Sequence, residues 1–503
     1  MTFFFAGRIA GVGVLSLAIA GCAVHPEPFS TQSLSEAARS NIAQVAVNQE
    51  ALTRPIDLYE AMARALKYNL DYEVETMQTA VRAAELDLTT YDGLPNLVAS
   101  AGYASRDQYD ASSSLNITAN SHPPTFSTSQ DMTRRTADLS FSWNILDFGL
   151  SYVRARQAAD KVLIGKEMQR KAVHRLLEDV RTAYWRAVTF ERLVSRLNAL
   201  SSRTESALSN SKALADGRET SLVTALTYER ELTEIKRAAI DMQRDLIVAK
   251  AQLAALMNLT PGTKFALVLN DYGRLPKSLP NSLDTMMQIA VRDREELREN
   301  LYQQRINSQE VRAAMLEMLP GLQLSVGPNW DSNSYLMNTN WVSWGAKSSF
   351  NLLRVFQLPA KRDLIEDQQD LLKSRALALT MAVMTQVHVS RIRYVHAQQE
   401  MRVADDYRSV QRRLVEQIRI EASANRVSEQ TLLREELNTL VAEAKFDLAH
   451  ADVESAYANI FASVGWDPYG AYQRDNNVRD IASALRTGWL KPTSGVWHVA
   501  VAE

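Results

Sequence analysis

The sequence predicts a mainly α-helical protein with a small pair of β-hairpins, built from a duplicated helix–strand–strand–helix unit. Three observations carry this. Ser142-Trp143-Asn144-Ile145-Leu146 is answered by Ser349-Phe350-Asn351-Leu352-Leu353 after 207 residues, and Leu94-Pro95-Asn96-Leu97 by Leu319-Pro320-Gly321-Leu322 after 225. Self-similarity of this kind signals a repeated unit, and the two spacings place an insertion of 18 residues in the first copy. Glycine (18) and proline (14) are scarce among 503 residues, which favours long helices. Within each copy the hydrophobic period changes from 3.6 residues to two and back again.

The boundaries follow in chain order. Residues 1–21 read as a signal peptide, 22–54 as a lipid-anchored N-terminal segment and 55–259 as the first repeat. That repeat has strands within about 97–146 and a helical hairpin at 147–259. A linker at 260–282 precedes the second repeat at 283–466, with strands within about 322–353 and a hairpin at 354–466. An irregular tail at 467–503 carries one short helix near Val478–Arg486.

Arg8, the apolar run Ile9–Ala20 and the lipobox Ile19-Ala20-Gly21-Cys22 form the N-terminal signal. Cys22 is the only cysteine, so acylation such as palmitoylation is expected there and a disulfide is not. Diacylglycerol on the sulfur plus an acyl chain on the new N-terminus would anchor the protein stably, at about 0.8 kcal/mol per buried methylene. Ala23 follows in place of the aspartate that retains lipoproteins at the inner membrane, so the outer membrane is expected. No later stretch has 18 uninterrupted apolar residues, so no transmembrane helix is expected.

Residues 25–54 read as a polar lead-in. Ile56, Tyr59, Met62, Ala63, Leu66 and Leu70 keep helical spacing, so one helix is expected from Pro55 or Ile56 to Thr90, stopped by Gly93 and Pro95. Leu97, Ala99, Ala101 and Tyr103 then alternate with small residues. Leu139, Phe141, Trp143 and Ile145 alternate with Ser140, Ser142 and Asn144, across a Ser/Thr/Asn-rich loop at about Ala111–Asp131. In the second copy, Leu322, Leu324 and Val326, and then Val342, Trp344, Ala346, Ser348, Phe350 and Leu352, show the same alternation. Aromatics gather near strand ends at Tyr103, Phe148, Trp330, Tyr335, Trp341 and Phe356. An apolar face of Leu139, Phe141, Trp143, Ile145, Trp344, Phe350 and Leu352 against a small, polar face is what a lipid-embedded barrel requires.

Long helices follow each hairpin: Leu150 to about Ala215, which has no proline, and Thr220–Met257, then about Pro359–Ala422 and Val427–Val464. They are broken at Asp216-Gly217-Arg218 and Ala424-Asn425-Arg426. Leu283–Leu319 reads as the helix leading into the second hairpin. Four strands per chain cannot close a barrel, and open edges cannot face lipid. A homotrimer would supply about twelve strands, an even number within the known range. The expected architecture is therefore a trimeric 12-stranded β-barrel continued by a long α-helical barrel.

The Ser-Trp-Asn-Ile-Leu-Asp-Phe-Gly run at 142–149, the two Leu-Pro-x-Leu segments and the two helical tips resemble the lipid-anchored branch of the TolC-like outer-membrane efflux proteins. The resemblance covers nearly all of the mature chain. It implies a passive duct that works with a periplasmic adaptor (membrane fusion) protein and an inner-membrane pump. It also implies that the tips contact the adaptor: Gly217, Arg218 and Thr220 in the first, Arg426, Val427 and Ser428 in the second. Some members close the tunnel with carboxylates just after the second tip. The matching positions here are Gln430 and Leu433, and neighbouring Glu429, Glu435 and Glu436 read as a solvated helix face.

No catalytic or cofactor signature is present: there is no phosphate-binding loop and no dinucleotide fingerprint. His388 and His396, and His174 with Glu178, read as surface or interhelix residues rather than metal ligands, and Asp405-Asp406 as a helix-face pair. A net charge of −2 gives no sign of nucleic-acid binding. The sequence thus predicts neither an enzyme nor a cofactor, but a channel exporting small molecules. The alternatives are a duct for type I protein secretion and a lipid-anchored periplasmic coiled-coil scaffold without a pore.

Overall fold

The computed structural model of the chain describes residues 27–45, 49–115, 117–121, 125–216, 221–269, 279, 282–466 and 475–490. Helix α1 (Thr31–Gln44) is followed by α2 (Leu58–Tyr68), α3 (Leu70–Tyr91) and the strands β1 (Asn96–Ser105), β2 (Ala111–Ser112), β3 (Ser127–Thr128) and β4 (Thr133–Asn144). Helices α4 (Ile145–Asp216), α5 (Leu222–Leu256), α6 (Leu283–Asp293) and α7 (Glu295–Leu316) lead to β5 (Gly321–Asp331) and β6 (Asn340–Ser349). A 3₁₀ turn (Leu352–Gln357), α8 (Leu358–Ser423), α9 (Glu429–Val464) and α10 (Val478–Leu490) complete the chain.

The helix expected from residue 56 to 90 is two helices. Asn69 is extended (ψ 127°); its side-chain Oδ1 accepts from the Tyr72 amide, capping α3, while its Nδ2 donates to the Leu256 carbonyl. Ile56 is not helical at all: it forms a parallel bridge with Leu267. The helix expected over 283–319 divides in the same way at Arg294, also extended (ψ 136°). α1 lies inside the segment expected to be a polar lead-in, begun by Ser30 accepting from the Ser33 amide. The two-stranded β2–β3 pair lies inside the expected loop.

β1, β4, β5 and β6 form one antiparallel sheet in the order β1-β4-β5-β6, so β1 and β6 are its edges. Asn96 lies opposite Ser142 in the first hairpin and Gly321 opposite Ser349 in the second. The hairpins are joined by β4–β5 pairing, with Phe141 opposite Val326 and Trp143 opposite Leu324. Gly327 is required at this junction, since a Cβ there would lie 1.8 Å from the Leu139 carbonyl oxygen. Helices continue the strand order: α3 packs on α4, α4 on α7, and α7 on α8. α4 also pairs with α5, and α8 with α9.

The main core gathers where α2, α6 and α10 wrap the middle of the long helices, around Met62, Leu66, Val180, Tyr184, Leu253, Met286, Tyr457 and Phe461. A second cluster of Leu193, Leu197, Leu200, Leu232, Ile235, Leu433, Leu437 and Leu440 joins α4, α5 and α9 nearer the tips. Among the described residues, no helix is long and apolar enough to cross a membrane.

Candidate channel wall and helical tips

Strand register decides which side chains share a face. Leu97, Ala99 and Tyr103 of β1 align with Phe141, Leu139 and Arg135 of β4; Phe141 and Trp143 align with Val326 and Leu324 of β5. Val326 and Leu324 in turn align with Trp344 and Ala346 of β6. One face is therefore mainly apolar across the four strands, with Arg135, Asn340 and Ser348 among its polar members. The other face presents Ser100, Thr136, Asp138, Ser140, Ser142 and Asn144, then Gln323, Ser325, Asn329 and Lys347. Leu139, Phe141, Trp143 and Trp344 thus stand together on the apolar face.

Ile145, Phe350 and Leu352 lie beyond the strands. Ile145 opens α4, Phe350 follows β6, and Leu352 begins the 3₁₀ turn. Asn144 and Asn351 explain the early strand ends, because each side chain accepts from the amide two residues on, at Leu146 (3.2 Å) and Leu353 (3.1 Å). Trp341 sits opposite Asn329 on the polar side, and Tyr335 lies in the β5–β6 loop.

The far ends of the two hairpins are tied together. The Asp131 carboxylate accepts from the Ser334 amide (2.6 Å) and hydroxyl (2.8 Å). The buried Asn333 side chain accepts from the Asp131 amide (3.1 Å) and donates to the Ser129 carbonyl (2.9 Å). Arg134 and Asp331 add an ion pair at 3.4 Å.

At the other end of the molecule, the second tip turns without glycine. Asn425 takes φ +54°, and Asn is a residue that tolerates this left-handed region. The Arg426 amide donates to the Glu421 carbonyl (2.9 Å) and the Asn425 amide to Ala422 (3.0 Å), the bonding of a Schellman cap. Ser428 then caps α9 by accepting from Thr431 (3.2 Å). Arg426 and Ser428 are exposed and Val427 is half-buried. Gly217, Arg218 and Thr220 of the first tip lie outside the described residues, as do Cys22 and the signal segment.

Glu436 is not a merely solvated carboxylate. It accepts from Arg203 of α4 and lies 3.4 Å from Arg419 of α8. One turn-pair further along α9, Glu443 accepts from Arg196 of α4 and from Arg412 of α8 (3.0 Å), and Asp447 pairs with Arg192 (3.1 Å). Deeper still, Arg181 and Glu454 form a buried pair at 2.9 Å. α9 is thus clasped by an arginine row from α4 and another from α8. Burial raises the Asp447 carboxyl above its ordinary value, against the pull of Arg192. Glu435 accepts from Gln411 (2.7 Å), and Glu231 of α5 bridges to Gln430 and Arg434 of α9.

The helix-face reading of Glu436 passes over these pairs, although the sequence carries a spacing signal for them. Arginines 192, 196 and 203 step by four and seven, and carboxylates 436, 443 and 447 step by seven and four, the reverse order that antiparallel helices demand. His174 is an interhelix residue, its Nδ1 being 3.0 Å from Glu295. Among the described residues, no cluster of three or more His, Cys, Asp or Glu side chains is arranged to hold a metal.

No protein-family model and no curated protein matches the sequence. Solved structures do match the fold. The CmeC outer membrane channel of Campylobacter jejuni superimposes with a TM-score of 0.64 at 12% identity, over 92% of this chain and 98% of that one. CusC, studied for folding and transmembrane channel formation, gives 0.60 at 16%, over 84% and 96%. The open-state MtrE outer membrane channel of Neisseria gonorrhoeae gives 0.59 at 14%, over 81% and 89%. At these identities the likeness establishes the fold, and these neighbours are channels rather than enzymes.

Proposed function

We propose, for a chain carrying the fold of the TolC-like outer-membrane channels, that it is the outer-membrane duct of a tripartite efflux system. It passes small molecules from the periplasm to the exterior, with energy supplied by an inner-membrane pump reached through a periplasmic adaptor. The acting form is a homotrimer held in the outer membrane by its barrel and by acyl chains on Cys22. The duplicated unit places two strands and one helical hairpin per copy, so three chains contribute twelve strands.

The observation that carries this reading is the four-stranded sheet with one apolar face, one polar face and two open edges. Such a sheet exposes unpaired backbone groups unless further strands complete it, and in lipid only a closed barrel satisfies them. The polar face of Ser, Thr, Asn and Gln side chains would then line water. Arg426, exposed on the Schellman-capped tip, and Gly217 and Arg218 of the first tip are the adaptor-contacting groups.

Planar-bilayer conductance of the detergent-purified protein, with native mass measured on the same preparation, tests the proposal. Discrete conducting steps from a trimer support it. A non-conducting monomer would instead leave a lipid-anchored scaffold.

A further inference from the structure

We infer that Asp138, standing at the level of Trp341 on the polar face of the sheet, makes the barrel end of the duct selective for cations. This rests on the duct reading above and gives that duct a specificity-determining residue of its own.

The polar face is the inner side of a curve. Along β4, Thr136, Asp138 and Ser140 are half-buried, while the alternating Ala137, Leu139 and Phe141 are exposed. β5 repeats this, with Ser325 and Asn329 half-buried and Leu324, Val326 and Trp330 exposed. Side chains on the concave side of a curved sheet crowd and shield one another, whereas those on the convex side spread apart, as in a barrel wall. The sheet thus curls toward its serines and asparagines, and the side that several chains would close around carries Asp138.

One level of that face differs from the rest. The register sets Ser100 opposite Asp138, Asp138 opposite Asn329, and Asn329 opposite Trp341. Trp341 is the one aromatic that the four strands place on the polar face, and it is 43% exposed there. Four residues nearer the helices, Ser142, Ser325 and Gly345 stand in place of Asp138, Asn329 and Trp341, with Asn96 in place of Ser100. In a closed barrel the lumen is therefore narrower at Trp341 than at Gly345.

The carboxylate at this level is uncompensated. Asp138 has no ion-pair partner among the described residues. Arg134, farther out on the same face, is paired with Asp331 at 3.4 Å. The other strand charge on the polar face is Lys347, opposite Gln323 and six residues from Trp341 along β6. Six residues of strand span about 20 Å. Exposed charges farther apart than about 10 Å are largely screened from each other at 0.1 M salt, so Lys347 does not cancel Asp138. Three copies set three carboxylates around one narrowed level, between low-dielectric walls that focus their field on a passing solute. Cations are favoured there, quaternary ammonium groups doubly so because the indole face of Trp341 also attracts them, and anions are held back.

The test is thiol modification of the full chain in outer-membrane vesicles, its only native cysteine being Cys22. Ser100→Cys places a reporter opposite Asp138, and Ala99→Cys places one on the apolar face. Each is treated with a cationic methanethiosulfonate (trimethylammonium-ethyl) and an anionic one (sulfonatoethyl). Rates are corrected for the parent protein and normalised to a free thiol. Ser100→Cys should react and Ala99→Cys should not. The cation-to-anion rate ratio at Ser100→Cys should be about fivefold at low salt and fall to near one at about 1 M salt, where the screening length is about 3 Å. Added Asp138→Asn should bring the ratio to near one at low salt, and Asp138→Lys should invert it. A ratio unchanged by Asp138→Asn would overturn the selectivity and leave the duct reading intact. An unreactive Ser100→Cys or a reactive Ala99→Cys would instead sink the duct reading, because the polar face would then line no water or the apolar face would meet no lipid. Trp341→Ser should lower the ratio by widening the level; an unchanged ratio would overturn the part given to Trp341.

Discussion

Arg181 of α4 and Glu454 of α9 meet at 2.9 Å with side chains only 1% and 4% exposed, joining the first half of the chain to the second through its core. Removing one partner of such a pair strands the other charge away from water, at about 3–5 kcal/mol. Arg181→Leu should therefore lower the unfolding midpoint sharply. Arg181→Leu with Glu454→Leu should recover most of the loss, since two apolar groups leave no stranded charge. Denaturant unfolding followed by helical circular dichroism checks this, and a single variant as stable as the parent would refute it.

Acid should weaken the fold in two phases. His450 meets Trp185 edge to face, with ring centroids 4.8 Å apart. Burial, with Arg192 adding repulsion, lowers its imidazole from the ordinary 6.5 to about 4. The fold favours the neutral form, so this contribution is complete above pH 6.5 and is lost as pH falls toward 4. A difference of that size corresponds to roughly 3 kcal/mol.

For Glu295, burial alone would raise the carboxyl. The hydrogen bond and charge of His174, with Arg170, outweigh it and hold the group at about 2 rather than 4.5. Its contribution is present above pH 4.5 and lost between 4.5 and 2. Unfolding midpoints measured from pH 8 to 3 should therefore decline below 6.5 and again, more steeply, below 4.5. His450→Gln should abolish the first decline and keep the second; an identical profile in the variant would rule out His450 as its source.

The second tip should tolerate Asn425→Gly and resist Asn425→Val. Valine at φ +54° forces a β-branched side chain into the left-handed region, at a cost of about 1–2 kcal/mol. Hydrogen exchange over residues 421–428 should speed up in Asn425→Val and stay unchanged in Asn425→Gly. Arg426→Ala should leave that exchange unchanged, because its side chain is exposed and only its amide serves the cap, while weakening capture of the adaptor. Faster exchange in Arg426→Ala would make the arginine part of the turn rather than of a docking surface.

The long helices and both hairpins were legible because their signals are local. Long apolar spacing without an interior proline marks α4 and α8, Pro359 standing only in the first turn of α8, and strict alternation marks β4 through Phe141 and Trp143. The breaks at Asn69 and Arg294 were not legible, because each is made by an extended residue whose partners lie far along the chain, at Leu256 for Asn69 and at Ala462 for Arg294. Glu436 looked like one more surface charge because its two arginines, at 203 and 419, come from different helices. Ile145 and Leu352 continue the period of two in sequence, yet the Asn144 and Asn351 side chains turn the backbone out of the strand just there.

The opposed faces of the sheet give the sharpest test of the barrel. Leu139 and Ser140 are neighbours in β4 and project to opposite sides, Leu139 with Ala99 and Ser140 with Val98. If the Leu139 side meets lipid, Leu139→Arg should cost about 2–4 kcal/mol near the bilayer midplane. Ser140→Arg would reach water in the lumen and cost little. Outer-membrane fractions should therefore hold markedly less folded, heat-modifiable trimer for Leu139→Arg, and near-parental amounts for Ser140→Arg with altered single-channel conductance. The reverse outcome would turn the barrel wall inside out. Equal tolerance of both would place the sheet in water and return the protein to the soluble scaffold.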